Sequence, residues 1–354
     1  MPHTSSSTET PPHALETVVE PARLPRRMWL VTLVVGAALW LAVAAAVAAT
    51  NDTILVPTLI LLGTFLVPVS TVLFVLSQPR RAYLSVETIM VGFLAGGTAA
   101  LALSGTAETY ILPHALATNG LVGLIEEGGK ALVLVGIASL VRPRVPRDGM
   151  VLGATVGAGF AAFESAGYAL SALIEHGDDH ATLDIVQTEA FRAVLAPFGH
   201  ITWTAIFGGA IFASAWYTGH FRLDRRVAAT YLGVACLHAC WDASYGVAIR
   251  VSMGLGGDGW HFGWPDTAAW VGSPTGADLI RWQLVYNVLL AILATIGSIW
   301  AVRRWRAYQF DRWRARYGGP AWPIVSPSTA PSAPPGARPS PWGTSEPRPT
   351  ADGS

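Results

Sequence analysis

Leu121-Val-Gly-Leu-Ile-Glu126-Glu127-Gly-Gly-Lys130-Ala-Leu-Val-Leu-Val-Gly-Ile137 is an apolar run of membrane-spanning character that carries three ionisable groups within five residues. Lys130 is the only lysine of the 354-residue chain. Each such group costs roughly 2.5–3.5 kcal/mol at the bilayer centre, so the cluster must face protein or water and not lipid. Glu126 and Lys130 stand at i, i+4 on a helix and can neutralise each other, so a structural ion pair and a functional site are both open readings.

The surroundings decide the fold class. The chain is 52% apolar and only 13% charged, and apolar runs of about twenty residues recur along it, which excludes an ordinary soluble domain. The pattern predicts an all-α, polytopic helical membrane protein with about eight transmembrane helices, at 28–50, 54–77, 84–104, 114–140, 149–173, 191–217, 228–249 and 279–300. Arginines cluster before the first span (Arg23, Arg26, Arg27) and after the second (Arg80, Arg81) and fourth (Arg142, Arg144, Arg147). They recur after the sixth (Arg222, Arg225, Arg226) and the eighth (Arg303, Arg304, Arg306), whereas the alternate loops 51–52, 105–113 and 174–188 carry none. Only Arg250 opens the last outer loop. The positive-inside rule then puts both termini in the cytoplasm. A cleaved signal peptide is an alternative reading of the first span and leaves the orientation of the others unchanged.

Residues 1–27 and the Pro-rich 319–354 are predicted to be disordered cytoplasmic tails flanking a membrane domain at 28–302. Between domain and tail, 303–318 mixes arginine with Trp305, Tyr308, Phe310 and Trp313, a pattern suited to an anionic inner leaflet and not to nucleic acid. The outer loop 250–278, with Trp260, Trp264 and Trp270, reads as an interfacial aromatic belt or a lid. The acidic loop residues Glu175, Asp178, Asp179, Asp184 and Glu189, with His176 and His180, read as solvated. Cys236 and Cys240 read as small apolar packing residues, since an i, i+4 disulfide is geometrically poor.

Further polar groups lie inside the spans: Phe160-Ala-Ala-Phe-Glu164 in the fifth, His200 in the sixth, and His238-Ala-Cys-Trp-Asp242 in the seventh. Counted from the cytoplasmic ends at about 1.5 Å per residue, Glu126, Glu127, Glu164, His200, His238 and Asp242 all rise roughly 15–26 Å into a ~30 Å core. Four helices thus place acids and imidazoles in one layer, tilted toward the outer side. His238 and Asp242 share a helix face, and Cys236 and Cys240 lie on the opposite one. Gly149, Gly153, Gly157, Phe160 and Glu164 form a stripe whose small residues permit close helix contact, so Glu164 points into protein. One of Glu126 and Glu127 is expected to face the cavity and the other to pair with Lys130.

Imidazoles and carboxylates on facing helices are ligands for a divalent cation such as zinc, which would activate water. A buried glutamate could instead deprotonate water directly, with no metal. Both routes hydrolyse a carbonyl within the membrane. The chain has no serine nucleophile elbow, HExxH helix or phosphate-cradling glycine loop.

The ordered set Glu126-Glu127-x-x-Lys130, Phe160-x-x-x-Glu164, His200 and His238-x-x-x-Asp242 resembles the PrsW family of intramembrane proteases, in the wider group of CAAX prenyl proteases and bacteriocin-immunity membrane proteins. The resemblance covers a catalytic core at about 84–250. It implies a bacterial cell-membrane peptidase, often described as a metalloprotease, that cuts a membrane-anchored protein near the outer side, as in the first cut of an anti-sigma factor. Carried over, Glu127 or Glu126 would activate water, and Glu164, His200 and His238 would be zinc ligands or oxyanion partners. Asp242 would orient His238 or join it, Lys130 would compensate the second glutamate, and Phe160 would support the site. A metal-free glutamate mechanism, as considered for the prenyl-protease relatives, stays open.

Two other classes compete. Acids and histidines in spans also form proton relays, as in a proton-coupled secondary transporter, though no internal repeat is evident and the polar groups are confined to spans four to seven. A non-catalytic scaffold or immunity-type protein would use the same residues as a structural ion network.

Overall fold

The computed structural model describes residues 25–78, 84–112, 118–142, 144–175, 181–216, 220–256, 261–262, 270–271 and 275–317. Residues 1–24 and 318–354, Arg80, Arg81, His176, Asp178, Asp179, His180, Trp260 and Trp264 lie outside them. The chain is a polytopic helical membrane protein: α1 (Met28–Thr50), α2 (Val56–Ser77), α3 (Val86–Ala95), α4 (Leu101–Ile111), α5 (Thr118–Leu140), α6 (Pro146–Glu175), α7 (Ala181–Leu195), α8 (His200–Trp216), α9 (Arg225–Gly256) and α10 (Gly276–Tyr317). Among the described residues seven stretches are long and apolar enough to cross a membrane, α7 and α8 counting as one and α3–α4 as another. The remaining long helix, α5, carries Glu126, Glu127 and Lys130 and falls outside that count, against the eight spans expected.

Local chemistry sets several boundaries. Asp52 Oδ1 accepts from Ile54 N–H at 3.0 Å, starting the short turn (Thr53–Leu55) that leads into α2. Ser85 Oγ caps α3 through Thr88 N–H at 3.2 Å, and Asp224 Oδ1 caps α9 through Val227 N–H at 2.8 Å. Thr275 and Asp278 form a reciprocal capping box on α10.

The spans differ from expectation where packing overrides hydropathy. The third continues through the predicted loop 105–113 as far as Ile111, by way of a π-helical segment, Gly96–Ala100. The sixth is not one helix: Pro197 lacks an N–H and its ring opposes helix continuation, so α7 ends at Leu195 and α8 begins at His200. Much of the predicted acidic loop is therefore α7. Residues 303–317 are helical and continue α10, and both Arg147 Nε and Nη2 donate to Trp305 O at 3.1 Å. The predicted loop 250–278 begins helical, to Gly256, and pairs His261–Phe262 with Trp270–Val271 as two short antiparallel strands. Cys236 and Cys240 are exposed on α9 and are not packing residues.

α6 is the central helix, and every residue described from 144 to 162 is buried. Its glycines explain why. A Cβ on Gly149, Gly153 or Gly157 would meet the carbonyl oxygens of Gly208, Thr204 and His200 at 2.4, 2.2 and 2.3 Å, so α8 lies directly on that stripe. On the other side, Gly159 faces the Phe93 carbonyl and Gly96 the Val156 carbonyl, bringing the third span equally close. Gly123 of α5 does the same toward Ala235 O of α9, at 2.6 Å. These approaches draw α5, α6, α8 and α9 together at the level of the polar layer.

Candidate active site

Lys130 stands at the middle of that layer, fully buried. Its Nζ donates to Glu127 Oε1 at 2.7 Å, to Glu126 Oε2 at 3.3 Å and to His200 Nδ1 at 2.7 Å. It also lies over the Phe160 ring, 3.9 Å from the centroid. The expected division of labour, one glutamate for lysine and one for the cavity, is therefore only partial: Lys130 touches both and sits closer to Glu127.

An ammonium group only donates, so His200 Nδ1 is the acceptor, and the ring proton resides on Nε2. That Nε2–H faces Glu164 Oε2 at 3.1 Å. His238 has the opposite arrangement. Its Nδ1–H donates to Glu127 Oε1 at 3.0 Å, and Nε2 faces Glu126 Oε2 at 3.7 Å and Asp242 Oδ2 at 3.5 Å. Glu127, 3% exposed, thus has an oxygen that accepts from both Lys130 and His238, whereas Glu126 is 8% exposed. The two imidazoles are 4.9 Å apart and perpendicular, and Trp203, itself buried, packs against both.

All six predicted site residues come together with Lys130 and Phe160. Ligand atoms of Glu126, His200 and His238 lie within 4.8 Å of one another, a set that suits zinc in its chemistry. Glu164 does not belong to this group. Its Oε2 is engaged by the guanidinium of Arg192 as well as by His200. The carboxylate–imidazole pair Glu127–His238 has the form of a ligand oriented by an outer partner.

Sequence reasoning missed several participants. Arg192 on α7 bonds Glu164, donates from Nε to Ser165 Oγ at 2.8 Å, and stacks on Tyr168 at 4.1 Å. It lies one residue inside the predicted sixth span, just beyond the loop whose lack of basic residues was counted. An arginine at the outer end of a span, against the positive-inside trend, was the available signal. Glu189, predicted to be solvated, is 1% exposed and accepts from Trp40 Nε1 at 2.6 Å.

Residues 78–264 match the family model described as PrsW family intramembrane metalloprotease. No curated protein and no solved structure matches the chain.

Proposed function

The chain belongs to the PrsW family of intramembrane metalloproteases, and from that premise we propose that it hydrolyses a peptide bond of a membrane-anchored protein near the outer side of a bacterial cell membrane. The observation that carries this reading is the convergence of Glu126, His200 and His238, from three helices, on one buried point. A single-pass regulator such as an anti-sigma factor is the substrate class that the family resemblance favours.

Glu126 is the carboxylate with freedom to act on water, since Glu127 Oε1 is held by Lys130 and His238. Glu126 takes a proton as the water oxygen bonds to the scissile carbonyl carbon, then returns it to the nitrogen as the C–N bond breaks. His238 presents Nε2 to the same space, and Lys130 holds the glutamate pair in place.

A divalent metal, zinc by the donor set, would be held by Glu126, His200 and His238, with Lys130 giving up its contact to His200 Nδ1. When bound, it supplies an activated water and polarises the carbonyl. The proton transfers by Glu126 belong to the metal-free route; with a metal bound, the same carboxylate would serve as a ligand.

The test is N-terminal proteomics of membranes from cells that carry the wild type or His238→Ala. New termini confined to the wild type, near the outer end of a single-pass protein, support the proposal. Equal termini with equally abundant proteins contradict it.

A further inference from the structure

We propose that Arg192 is a positioning residue that fixes Glu164 and, through it, the ring orientation of His200, so that the site is assembled only while α7 is docked. This rests on the protease reading for its kinetic consequence but not for its structural one.

The geometry is a closed loop. Arg192 lies in the last turn of α7, and His200 is the first residue of α8, across the break that Pro197 enforces. Glu164 of α6 bridges the two, one carboxylate oxygen taking both the guanidinium and His200 Nε2–H. The guanidinium is itself fixed: Nε is held by Ser165 Oγ at 2.8 Å, and its plane rests on Tyr168. With Nε on Ser165 and Nη2 on Glu164, the planar guanidinium meets the carboxylate from one fixed direction, which a lysine's point charge would not impose.

The consequence reaches the reacting centre. His200 Nδ1 faces Lys130 only because Nε2–H has a fixed acceptor on its other side. Without Arg192, Glu164 keeps a single partner among the described contacts and is free to turn. The imidazole can then flip, exchanging its two nitrogens and removing the lone pair that accepts from Lys130.

α7 has two further anchors, which make its docked position a definite one. Glu189, one turn before Arg192, reaches Trp40 of α1 and occupies space left by Gly63 of α2, where a Cβ would lie 2.0 Å from Glu189 Oε2. Phe191 stacks on Tyr286 of α10 at 6.1 Å. Three neighbouring side chains of one helix thus hold three different walls of the bundle, and the third of them is Arg192.

The experiment uses full-length chain, labelled with ¹⁵N-histidine, in lipid nanodiscs, as wild type, Arg192→Gln and Arg192→Lys. Glutamine keeps an amide donor and most of the aliphatic stem, which makes it a milder change than alanine. The wild type should show His200 protonated at Nε2, Arg192→Gln a mixed or reversed tautomer, and Arg192→Lys an intermediate state. In cells, the wild-type-dependent termini should form about 10–100-fold more slowly with Arg192→Gln, the loss typical of an outer partner, with partial recovery by lysine. An unchanged His200 signal in Arg192→Gln overturns the proposal. If the wild type yields no termini at all, the protease reading fails while the tautomer still decides the role of Arg192.

Discussion

Glu127 of α5 and His238 of α9 share a 3.0 Å hydrogen bond through Nδ1, and this one contact turns His238 Nε2 toward Glu126. On the proposed reading, Glu127 orients His238 and Glu126 acts on water.

Conservative substitutions should separate them. Glu126→Gln is expected to cut the cleavage rate about 10²–10⁴-fold, the range for loss of a general base, with the fold intact. Glu127→Gln should cost about 10–100-fold, as for an orienting partner of an active-site histidine. Cleavage rates and thermal unfolding of both variants, side by side, provide the check.

Lys130→Met should be the most destabilising change at the site. It removes a fully buried ammonium from between two glutamates, and breaking such an arrangement costs about 3–5 kcal/mol. Unfolding of the detergent-solubilised protein should shift markedly, and little mature protein should accumulate in cells.

Gly157→Ala puts a methyl group 2.3 Å from the carbonyl oxygen of His200 and must displace the start of α8. Both stability and cleavage should fall. Gly136→Ala on α5 has nothing within 4 Å and should be neutral or stabilising by at most about 1 kcal/mol, the difference in helix propensity. Thermal unfolding of the pair distinguishes a helix-contact effect from a general intolerance of alanine.

Trp40→Phe leaves Glu189 without its indole donor in a buried setting and should destabilise by about 1–3 kcal/mol. Glu189→Gln, which can still accept from Trp40, should be milder. Unfolding midpoints of the two variants decide.

Metal content offers an independent reading. Purified wild type should carry about one zinc per chain if Glu126, His200 and His238 form the ligand set. His238→Ala should lose it, while Arg192→Lys should retain it. Elemental analysis after gel filtration reports both, and a metal-free, active wild type would favour the glutamate-only route.

The polar layer was legible in the sequence because helical rise is regular: counting from arginine-rich ends placed Glu126, Glu164, His200 and His238 at one depth. The glycine stripe of α6 was legible for a similar reason, since its spacing matches one helix face. What escaped was set by distant partners. Glu189 reads as a solvated loop acid until Trp40, 149 residues away, and Gly63 are known to enclose it. Arg192 was hidden by a span boundary drawn on hydropathy, which ignored the break at Pro197. Which glutamate bonds His238 Nδ1 depends on the direction from which α9 approaches, and Gly123, which permits the approach, carries no local signal of it.

The most direct measurement is cleavage in proteoliposomes that contain only the purified chain and the single-pass protein identified by terminal proteomics. Wild type should cut it near the outer membrane boundary, and Glu126→Gln, equally folded, should leave it whole. Cleavage by Glu126→Gln at the wild-type rate, or none by the wild type, would contradict hydrolysis at this site.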